Sequence, residues 1–368
     1  MKTILVLEDS SRVNFGGGQK ITLIVANILK DYFNLRFVDY SASTRYAETV
    51  MKQYGNNSFV NIGHINVNGQ KSLWLWIKMT LATLFFVLSD AQKVLKQLNK
   101  GDCISYSTNK RTLMFAVFLK WIYGIPFVHH AHLVEKKNGM YFVFARWLFQ
   151  KAKTVLCVSN TVRESIKTDN CRLLFNPSLN KLGFKGFKKT NNFIVAYVGS
   201  LIPIKGVDCY IDAAKRCLDS IEFRVYGEGP LLKELEHRAK GRVKFLGFDA
   251  NIIDKYYTDI DIIVVPTLIE EALSLVVVDA KSVGIPVVVT SPGGQAEIVE
   301  DGINGYHVPV NNPQAIVDSI GRLTSDLGNY NKMARASFES FSKFSYDKFK
   351  VNILKVFEVL DKNTVIQF

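Results

Sequence analysis

Residues 270–305 read EEALSLVVVDAKSVGIPVVVTSPGGQAEIVEDGING, and the patterns in and around them predict a parallel α/β fold. An apolar strand is predicted at Ile262–Val265, shortly before this segment. A helix is predicted from about Leu275, with Ser274 as its N-cap, and a Gly-x-Pro sequence ends it. A second apolar strand is predicted at Val287–Thr290. Such a unit belongs to a parallel sheet, in which ligands bind at the carboxyl ends of the strands.

The start of the predicted helix has the features of a phosphate-binding site. Amides of a first helical turn have no acceptor within the helix, and the helix dipole favours an anion there. The candidate amides are those of Ala272, Leu273, Ser274 and Leu275, which lead into that turn. In a sugar-nucleotide site they would hold the diphosphate, Asp279 would bind the ribose hydroxyls, and Glu271 would reach a group on the far side. The spacing alone fits equally well a buried helix that carries two solvated acids.

The motifs of this segment together resemble those of the retaining glycosyltransferases of family 4, which have the GT-B fold. The family signature is a Glu, seven residues and a second Glu, followed by Gly-x-Pro-Val, a Gly-Gly pair and Glu-Ile-Val. The matching residues occur here in the same order: Glu271, Asp279, Gly284, Pro286, Val287, Gly293, Gly294, Glu297, Ile298 and Val299. Asp279 is a departure, because it is one methylene shorter than the Glu of the family.

The resemblance implies two Rossmann-like α/β/α domains that face each other across a cleft. A chain of 368 residues is long enough for two domains of ordinary size. We expect an acceptor-binding domain at residues 1–178, a nucleotide-sugar-binding domain at residues 179–345, and a C-terminal helix at residues 346–368 that returns to the first domain.

Positive charge is concentrated in the first half of the chain. Residues 1–178 contain 23 Lys and Arg against 10 Asp and Glu, whereas residues 179–368 contain 23 of each. The anionic partner of a basic domain is either a nucleic acid or a membrane leaflet. The stretches Leu73–Leu88 and Met140–Lys153 favour the membrane, because they are rich in apolar and aromatic residues and also contain cations. Both also fit core helices of an α/β domain.

The cysteine pattern and the N-terminus point to a cytoplasmic protein. The five cysteines are scattered and lack the spacing of a metal site, which is typical of free thiols in a reducing compartment. The apolar start at Met1–Leu7 is too short for a signal peptide. We therefore expect a cytoplasmic protein that is peripheral at the inner face of the cell membrane and does not bind nucleic acid.

Two features of the first half are candidate site residues. Gly17 and Gly18 resemble the Gly-Gly loop of the family, which faces the donor diphosphate and the acceptor; the spacing is not that of a P-loop. His132 matches the family histidine that contacts the transferred sugar. His129 and His130 precede it, but alternation along a strand and the lack of an acid or Cys at ligand spacing argue against a metal site. These two histidines are predicted to be structural.

The second half contains the remaining donor-binding candidates. Ser200 and Lys205 lie in a segment that resembles the family motif Gly-Arg-Leu, three residues, Lys-Gly, with Ser200 in place of the Arg. In the family, the Arg and the Lys neutralise the diphosphate. Gly227 and Gly229 lie in a loop that resembles the one enclosing the base. Asp259-Ile-Asp261 precedes a strand and is predicted to be structural, so we expect no metal and no cofactor.

These residues predict a retaining, metal-independent transferase of hexosyltransferase type. Its donor would be a UDP- or GDP-sugar, and its acceptor a saccharide or lipid-linked saccharide in bacterial O-antigen, capsule or lipopolysaccharide synthesis. Glu271 would position the donor, and the sequence leaves open whether it acts as a nucleophile. A dehydrogenase is excluded because GxGxxG is missing, and a nucleic-acid binder would not explain the loops of the second half. Ser200 and Asp279 keep open a non-catalytic GT-B protein that binds a sugar nucleotide or a partner.

Overall fold

The structure, a computed structural model, describes residues 2–9, 17–39, 44–61, 81, 100–135, 140–179, 182–249 and 251–360. The chain divides into two compact units. Unit 1 comprises Met1–Val158, Val162–Leu174 and Lys350–Phe368, and unit 2 comprises Ser159–Thr161 and Phe175–Phe349.

Unit 1 is built on a parallel sheet of seven strands in the order β3-β2-β1-β4-β5-β6-β7. Its strands β1 and β4 are buried at every position, because helices cover both faces of a doubly wound sheet. The elements up to β7 are β1 (Thr3–Glu8), α1 (Gly17–Leu29), β2 (Asn34–Asp39), α2 (Thr44–Tyr54), β3 (Phe59–Asn61), β4 (Cys103–Ser107), α3 (Lys110–Tyr123), β5 (Phe127–Ala131), α4 (Met140–Lys151), β6 (Thr154–Cys157), α5 (Asn160–Ile166) and β7 (Cys171–Leu173), with 3-10 turns at Asn56–Ser58 and Lys100–Asp102.

Helix α3 shows how the local sequence sets the ends of an element. The Asn109 side chain accepts hydrogen bonds from the backbone N–H groups of Arg111 and Thr112, and the Thr112 hydroxyl accepts one from the Asn109 N–H. This reciprocal pair satisfies amides that lack acceptors within the helix. Gly124 ends the helix with φ of 72°, a left-handed conformation that glycine adopts without strain.

Unit 2 contains a parallel sheet of six strands in the order β10-β9-β8-β11-β12-β13. Two clusters of buried apolar side chains fill this unit and exclude water from the strands. Its elements are β8 (Ile194–Val198), α6 (Val207–Ala214), β9 (Glu222–Tyr226), α7 (Leu232–Ala239), β10 (Val243–Phe245), α8 (Ile252–Tyr256), β11 (Ile262–Val265), α9 (Leu275–Val283), β12 (Val287–Thr290), α10 (Gly294–Glu297), β13 (Gly305–Val308), α11 (Pro313–Ser325) and α12 (Leu327–Ser340), with 3-10 turns at Pro203–Lys205 and Phe341–Phe344.

The strand, helix and strand predicted around the segment 270–305 are confirmed as β11, α9 and β12. Gly284 ends α9 with φ of 81°, and its N–H donates to carbonyls of the last helical turn. Ser274 occupies the N-cap position as predicted, but its side chain makes no capping hydrogen bond. The start of α9 is therefore set by backbone geometry and not by a serine cap.

The last helix, α13 (Tyr346–Leu360), returns the chain to unit 1 from Lys350 onward. Its start is capped by Ser345, whose hydroxyl accepts a hydrogen bond from the N–H of Lys348. Phe357 is completely buried, and its ring centroid lies 6.1 Å from that of Phe33 and 6.2 Å from that of Tyr106. The helix is therefore part of the core of unit 1.

The stretch Leu73–Leu88 lies outside the described residues except for Leu81, which is exposed. Among the helices that are described, none combines the length and the apolar character that a bilayer-spanning segment needs.

We predict that Phe357→Ala destabilises unit 1 by about 3–5 kcal/mol, because it removes a buried aromatic ring and leaves a cavity. All four tryptophans lie in the first 178 residues, so tryptophan fluorescence during urea unfolding reports on unit 1. Val351→Ala, at an exposed position of the same helix, is the control and should change the free energy of unfolding by about 0.5 kcal/mol or less. Equal effects of the two substitutions would contradict a core role for α13.

Candidate functional site

An ion pair joins Lys205, a predicted donor-binding residue, to Glu271, a predicted catalytic residue. The Lys205 Nζ lies 2.6 Å from the Glu271 Oε1, although 65 residues separate them in the chain. Lys205 ends the 3-10 turn after β8, and Glu271 lies in the loop after β11. The Glu271 side chain is 11% exposed and that of Lys205 is 34% exposed, so the pair is partly shielded but open to a ligand. The sheet places both residues at the carboxyl ends of neighbouring strands β8 and β11.

Gly293 and Gly294 allow the loop after β12 to contact the Glu271 backbone directly. A Cβ on Gly293 would lie 2.4 Å from the carbonyl oxygen of Glu271, and one on Gly294 would lie 1.8 Å from that of Ala272. The Gly294 N–H donates to the Glu271 carbonyl at 2.7 Å. A side chain at either glycine would therefore push the loop away and displace the backbone that carries Glu271.

Gly227 and Gly229 lie where the backbone of the loop after β9 passes close to the backbone of the loop after β8, which leaves no room for a side chain. A Cβ on Gly227 would lie 1.8 Å from the carbonyl oxygen of Gly199, and one on Gly229 would lie 2.4 Å from that of Leu201. The Leu201 N–H donates to the carbonyl of Glu228 at 2.9 Å. The loop after β9 thus lies directly against the loop after β8, which contains Ser200.

The N-terminus of α9 lies next to the ion pair in sequence. The Ser274 side chain does not cap it, so the first-turn amides and the positive end of the helix dipole follow Glu271 after a few residues of the same loop without a serine cap. Further along the helix, Asp279 accepts a hydrogen bond of 2.6 Å from the Ser178 hydroxyl. This contact orients the Asp279 carboxylate; sequence reasoning did not identify Ser178.

Tyr197 is a second residue that sequence reasoning missed. Its hydroxyl donates to the backbone carbonyl of Ser200 at 2.8 Å and so holds the loop after β8. Burial, and then the charge of Glu271, raise the pKa of the Tyr197 phenol, which keeps it neutral and close to the ion pair. Its position two residues before Gly199, at the end of an apolar strand, was the only available signal.

Glu297, predicted only as part of the family signature, binds Asn160 and Thr161, which also belong to unit 2. Its carboxylate accepts hydrogen bonds from the N–H of Asn160, at 2.7 Å, and from both the N–H and the hydroxyl of Thr161. A carboxylate at the N-terminus of a helix is stabilised by its free amides. The role of Glu297 within unit 2 is therefore to hold the segment Ser159–Thr161.

Asp261, the second acid of the sequence Asp259-Ile-Asp261, is held by contacts within the fold, as expected of a structural residue. It is buried, pairs with Lys185 and Lys188 at 3.5 and 2.9 Å, and accepts a hydrogen bond from the N–H of Ile194. Within the described ranges, no three His, Cys, Asp or Glu residues converge in a way that would hold a metal ion.

In unit 1, the structure brings Gly18 and His132 together. A Cβ on Gly18 would lie 3.8 Å from the His132 ring, so the two are in contact distance. Burial of the ring lowers the pKa of His132 to about 4, so the imidazole is neutral at pH 7. Its Nε2 is buried and has no hydrogen-bond partner among the residues that the structure describes. His129 and His130 are buried and bonded to Ser107 and Tyr106, as expected of structural residues.

Glu8 is a buried acid of unit 1, and its burial was not predicted from the sequence. Its carboxylate accepts hydrogen bonds from Thr22 of α1 at 2.9 Å and from Thr108 and Asn109, which precede α3, at 3.3 Å. The Thr22 hydroxyl also lies 3.1 Å from the Gly18 carbonyl, so Glu8 supports the turn that faces His132. Burial raises the pKa of Glu8 to about 7.

We predict that unit 1 loses stability as the pH rises from about 4.5 to 7 and that Glu8→Gln removes this part of the pH dependence. The folded protein keeps the Glu8 proton up to a pKa of about 7, whereas the unfolded chain loses it near the ordinary glutamate pKa of 4.5. The raised pKa therefore favours folding at low pH, and this contribution is lost as the carboxyl ionises. Thermal unfolding followed by tryptophan fluorescence between pH 5 and 8 measures the slope.

Glu48→Gln, at an exposed position of unit 1, is the control and should keep the wild-type slope. A Glu8→Gln protein with the same slope as the wild type would show that Glu8 does not titrate in this range.

Most of unit 2 matches the model of a known protein family. Residues 192–326, which run from β8 through α11, match the family model described as glycosyl transferases group 1. An uncharacterized glycosyltransferase of Methanocaldococcus jannaschii is 29% identical over 348 residues, covering 84% of this chain and 87% of the relative. The lipopolysaccharide 1,2-N-acetylglucosaminetransferase of Salmonella typhimurium is 29% identical over 189 residues, covering 46% of this chain and 48% of the relative.

Solved structures with the same architecture cover nearly the whole chain. The Anabaena protein HepE, crystallised with UDP and glucose, superposes with a TM-score of 0.77 over 97% of this chain and 100% of its own, at 20% identity. A sucrose-phosphate synthase from Thermosynechococcus elongatus gives a TM-score of 0.78 over 99% of this chain and 100% of its own, at 15% identity. These similarities confirm the fold class expected from the sequence, which is GT-B.

Proposed function

We propose that this chain, which has the GT-B fold and matches the group 1 glycosyltransferase model over residues 192–326, transfers a hexose from a nucleoside-diphosphate donor to a saccharide or lipid-linked saccharide, with retention of configuration and without a metal ion. The observation that carries the proposal is the Lys205–Glu271 pair, held by close backbone contacts next to the N-terminus of α9.

The pair and the helix amides supply the charge that a departing diphosphate requires. A lysine ammonium has three donors, so Lys205 can bond to a phosphate oxygen while it keeps its contact with Glu271. The amides of Ala272, Leu273, Ser274 and Leu275 would bind the remaining phosphate oxygens. As the bond from the anomeric carbon to the phosphate breaks, negative charge grows on the phosphate, and these fixed groups stabilise it without reorganising.

Ser200 stands where the family has an arginine, and its surroundings suggest how the site works without that cation. Tyr197 holds the Ser200 carbonyl, and Gly227 and Gly229 bring a second loop against the same backbone. The Ser200 hydroxyl and nearby amides would then bond to the diphosphate, leaving Lys205 as its main positive charge.

Glu271 is proposed to position the hydroxyls of the transferred sugar. One of its oxygens accepts from Lys205, and a carboxylate has acceptor sites beyond that one bond. Asp279, oriented by Ser178, would bind the ribose hydroxyls. In unit 1, Gly17 and Gly18 would face the donor and the acceptor, and the neutral His132 would contact the sugar.

Two relatives favour UDP over GDP as the donor nucleotide. The Anabaena protein HepE was crystallised with UDP, and an Escherichia coli relative, 29% identical over 168 residues, is named as a UDP-galactose-dependent transferase that acts on a diphosphoundecaprenol-linked sugar. We propose a UDP-hexose donor and an acceptor from bacterial cell-surface polysaccharide synthesis, such as O-antigen, capsule or lipopolysaccharide. The enzyme would work in the cytoplasm, peripheral at the inner face of the membrane, with residues 1–178 binding the acceptor and residues 179–345 the donor.

A non-catalytic sugar-nucleotide binder is the second candidate, and Ser200 and Asp279 favour it because both depart from the family motif. Such a protein would bind UDP or a UDP-sugar but would release no UDP, either alone or with acceptors. Turnover therefore separates the two candidates.

We predict that UDP raises the unfolding temperature of the wild type, because a ligand that binds only the folded state stabilises it by about 2.7 kcal/mol at 100 times its Kd. Lys205→Ala should abolish this shift, since it removes the cation that faces the diphosphate. Lys332→Ala, at an exposed position of α12, should retain it. Differential scanning fluorimetry with UDP, GDP and their sugars measures the effect. An unchanged UDP shift in the Lys205 variant would exclude this site.

We predict that Glu271→Gln lowers the rate of donor consumption by roughly 100-fold, as is typical for loss of one preorganised polar contact in an active site. Release of UDP from a panel of UDP-hexoses, measured with and without saccharide acceptors, provides the readout. Glu270→Gln is a matched control, because Glu270 is the preceding residue and is exposed. Similar activity in both variants would rule out the proposed role of Glu271.

A further inference from the structure

Two buried threonines of unit 2 donate hydrogen bonds to backbone carbonyls at the carboxyl ends of the strands. Thr290 is the last residue of β12, and Thr267 lies two residues beyond the end of β11. The Thr290 hydroxyl donates to the carbonyl of Thr267 at 2.7 Å, and the Thr267 hydroxyl donates to the carbonyl of Ile204 at 3.1 Å. These two bonds connect the ends of β12 and β11 to the turn after β8, and we call the two residues the threonine pair.

The threonine pair contacts the backbone that carries Lys205, because Ile204 directly precedes this lysine. The Leu268 N–H donates to the same Ile204 carbonyl at 2.9 Å. On the other side of the lysine, a Cβ on Gly206 would lie only 2.0 Å from the carbonyl oxygen of Pro266. The segment after β11 therefore contacts the backbone on both sides of Lys205.

The Gln295 side chain joins the threonine pair to the loop that contacts Glu271. Its amide nitrogen donates to the hydroxyl of Thr290 at 3.0 Å and to the carbonyl of Thr290 at 2.7 Å. Gln295 follows Gly294, whose N–H donates to the Glu271 carbonyl. Successive hydrogen bonds of this kind polarise and strengthen one another. The contacts therefore run from the backbone beside Glu271 to the backbone beside Lys205.

We propose that Thr267 and Thr290 are positioning residues, which set the places of Lys205 and Glu271 through the backbone. Both threonine side chains are completely buried, so they act through these two residues and not by contact with the substrate. Reaction rates depend steeply on such placement, and a shift of about 1 Å can lower a rate by roughly 100-fold. The proposal rests on the proposed function, in which Lys205 binds the diphosphate and Glu271 positions the transferred sugar.

Replacing each threonine by valine tests the proposal, because valine has nearly the same shape but no hydroxyl. A methyl group packs at about 3.5 Å or more from its neighbours. Valine would therefore push back a carbonyl that the hydroxyl holds at 2.7 Å in one case and 3.1 Å in the other.

We expect Thr290→Val and Thr267→Val to raise the Kd of UDP about fivefold, which is the effect of one net hydrogen bond. Both should lower kcat for sugar transfer by at least about tenfold, because the charged groups are misplaced in the transition state. Isothermal titration calorimetry with UDP measures the Kd. Release of UDP from a panel of UDP-hexoses, with and without saccharide acceptors, measures kcat.

Two kinds of control distinguish positioning from a purely structural role. Thr290→Ser and Thr267→Ser keep the hydroxyl and should bring both constants back to near the wild-type values. Ser337→Ala removes another completely buried hydroxyl, which donates to the backbone carbonyl of Ile285 at 3.0 Å. Since Ile285 lies before the start of β12, at the opposite edge of the sheet, this variant should have a lower unfolding temperature but unchanged Kd and kcat.

Three results would overturn the proposal: wild-type constants in both valine variants, no recovery in the serine variants, or equal losses in Ser337→Ala at a temperature where every protein is folded. Binding and turnover also separate it from the proposed function. If the wild type binds UDP but transfers no sugar, the transferase proposal fails, and the Kd of the valine variants decides whether the threonine pair positions the donor site. If the wild type transfers sugar and the valine variants do so equally well, positioning is excluded while the transferase proposal stands.

Discussion

The candidate site of unit 2 depends on the absence of side chains at Gly293 and Gly294. Their backbone lies so close to the Glu271 and Ala272 carbonyls that a Cβ would overlap them at 2.4 and 1.8 Å. The contact fixes the direction of the loop after β11, and with it the carboxylate that pairs with Lys205. The same principle operates where Gly227 and Gly229 meet the loop after β8. Backbone, and not side-chain, packing thus sets the geometry of the charged groups.

This arrangement suits a ligand that carries its own negative charge. A carboxylate that is largely shielded from water is costly unless it is paired, and Lys205 provides this pairing to Glu271. A diphosphate would add negative charge next to the same ammonium and to the uncapped start of α9. The ion pair and the helix start therefore suit the sugar nucleotide of the proposed function.

In unit 1, side-chain hydrogen bonds to a buried acid hold the carboxyl end of strand β1. Glu8 joins the end of β1 to α1 and to the start of α3 through three hydroxyl or amide donors. Because burial favours the protonated form, this junction is sensitive to pH near neutrality. Through Thr22 and Gly18 the junction reaches the His132 ring.

The sequence by itself determined the parallel α/β class, the ends of β11, α9 and β12, and the set of residues around Glu271. It could do so because apolar runs, glycine stops and the spacing of Glu271, Gly284, Pro286 and Gly293 are local properties of the chain. Only the tertiary structure decided which partners meet: Lys205 with Glu271, Ser178 with Asp279, and Glu297 with Thr161. The pKa of Glu8 also came from the fold. Such contacts join residues far apart in the chain, and their energies depend on burial and distance, which no local pattern specifies.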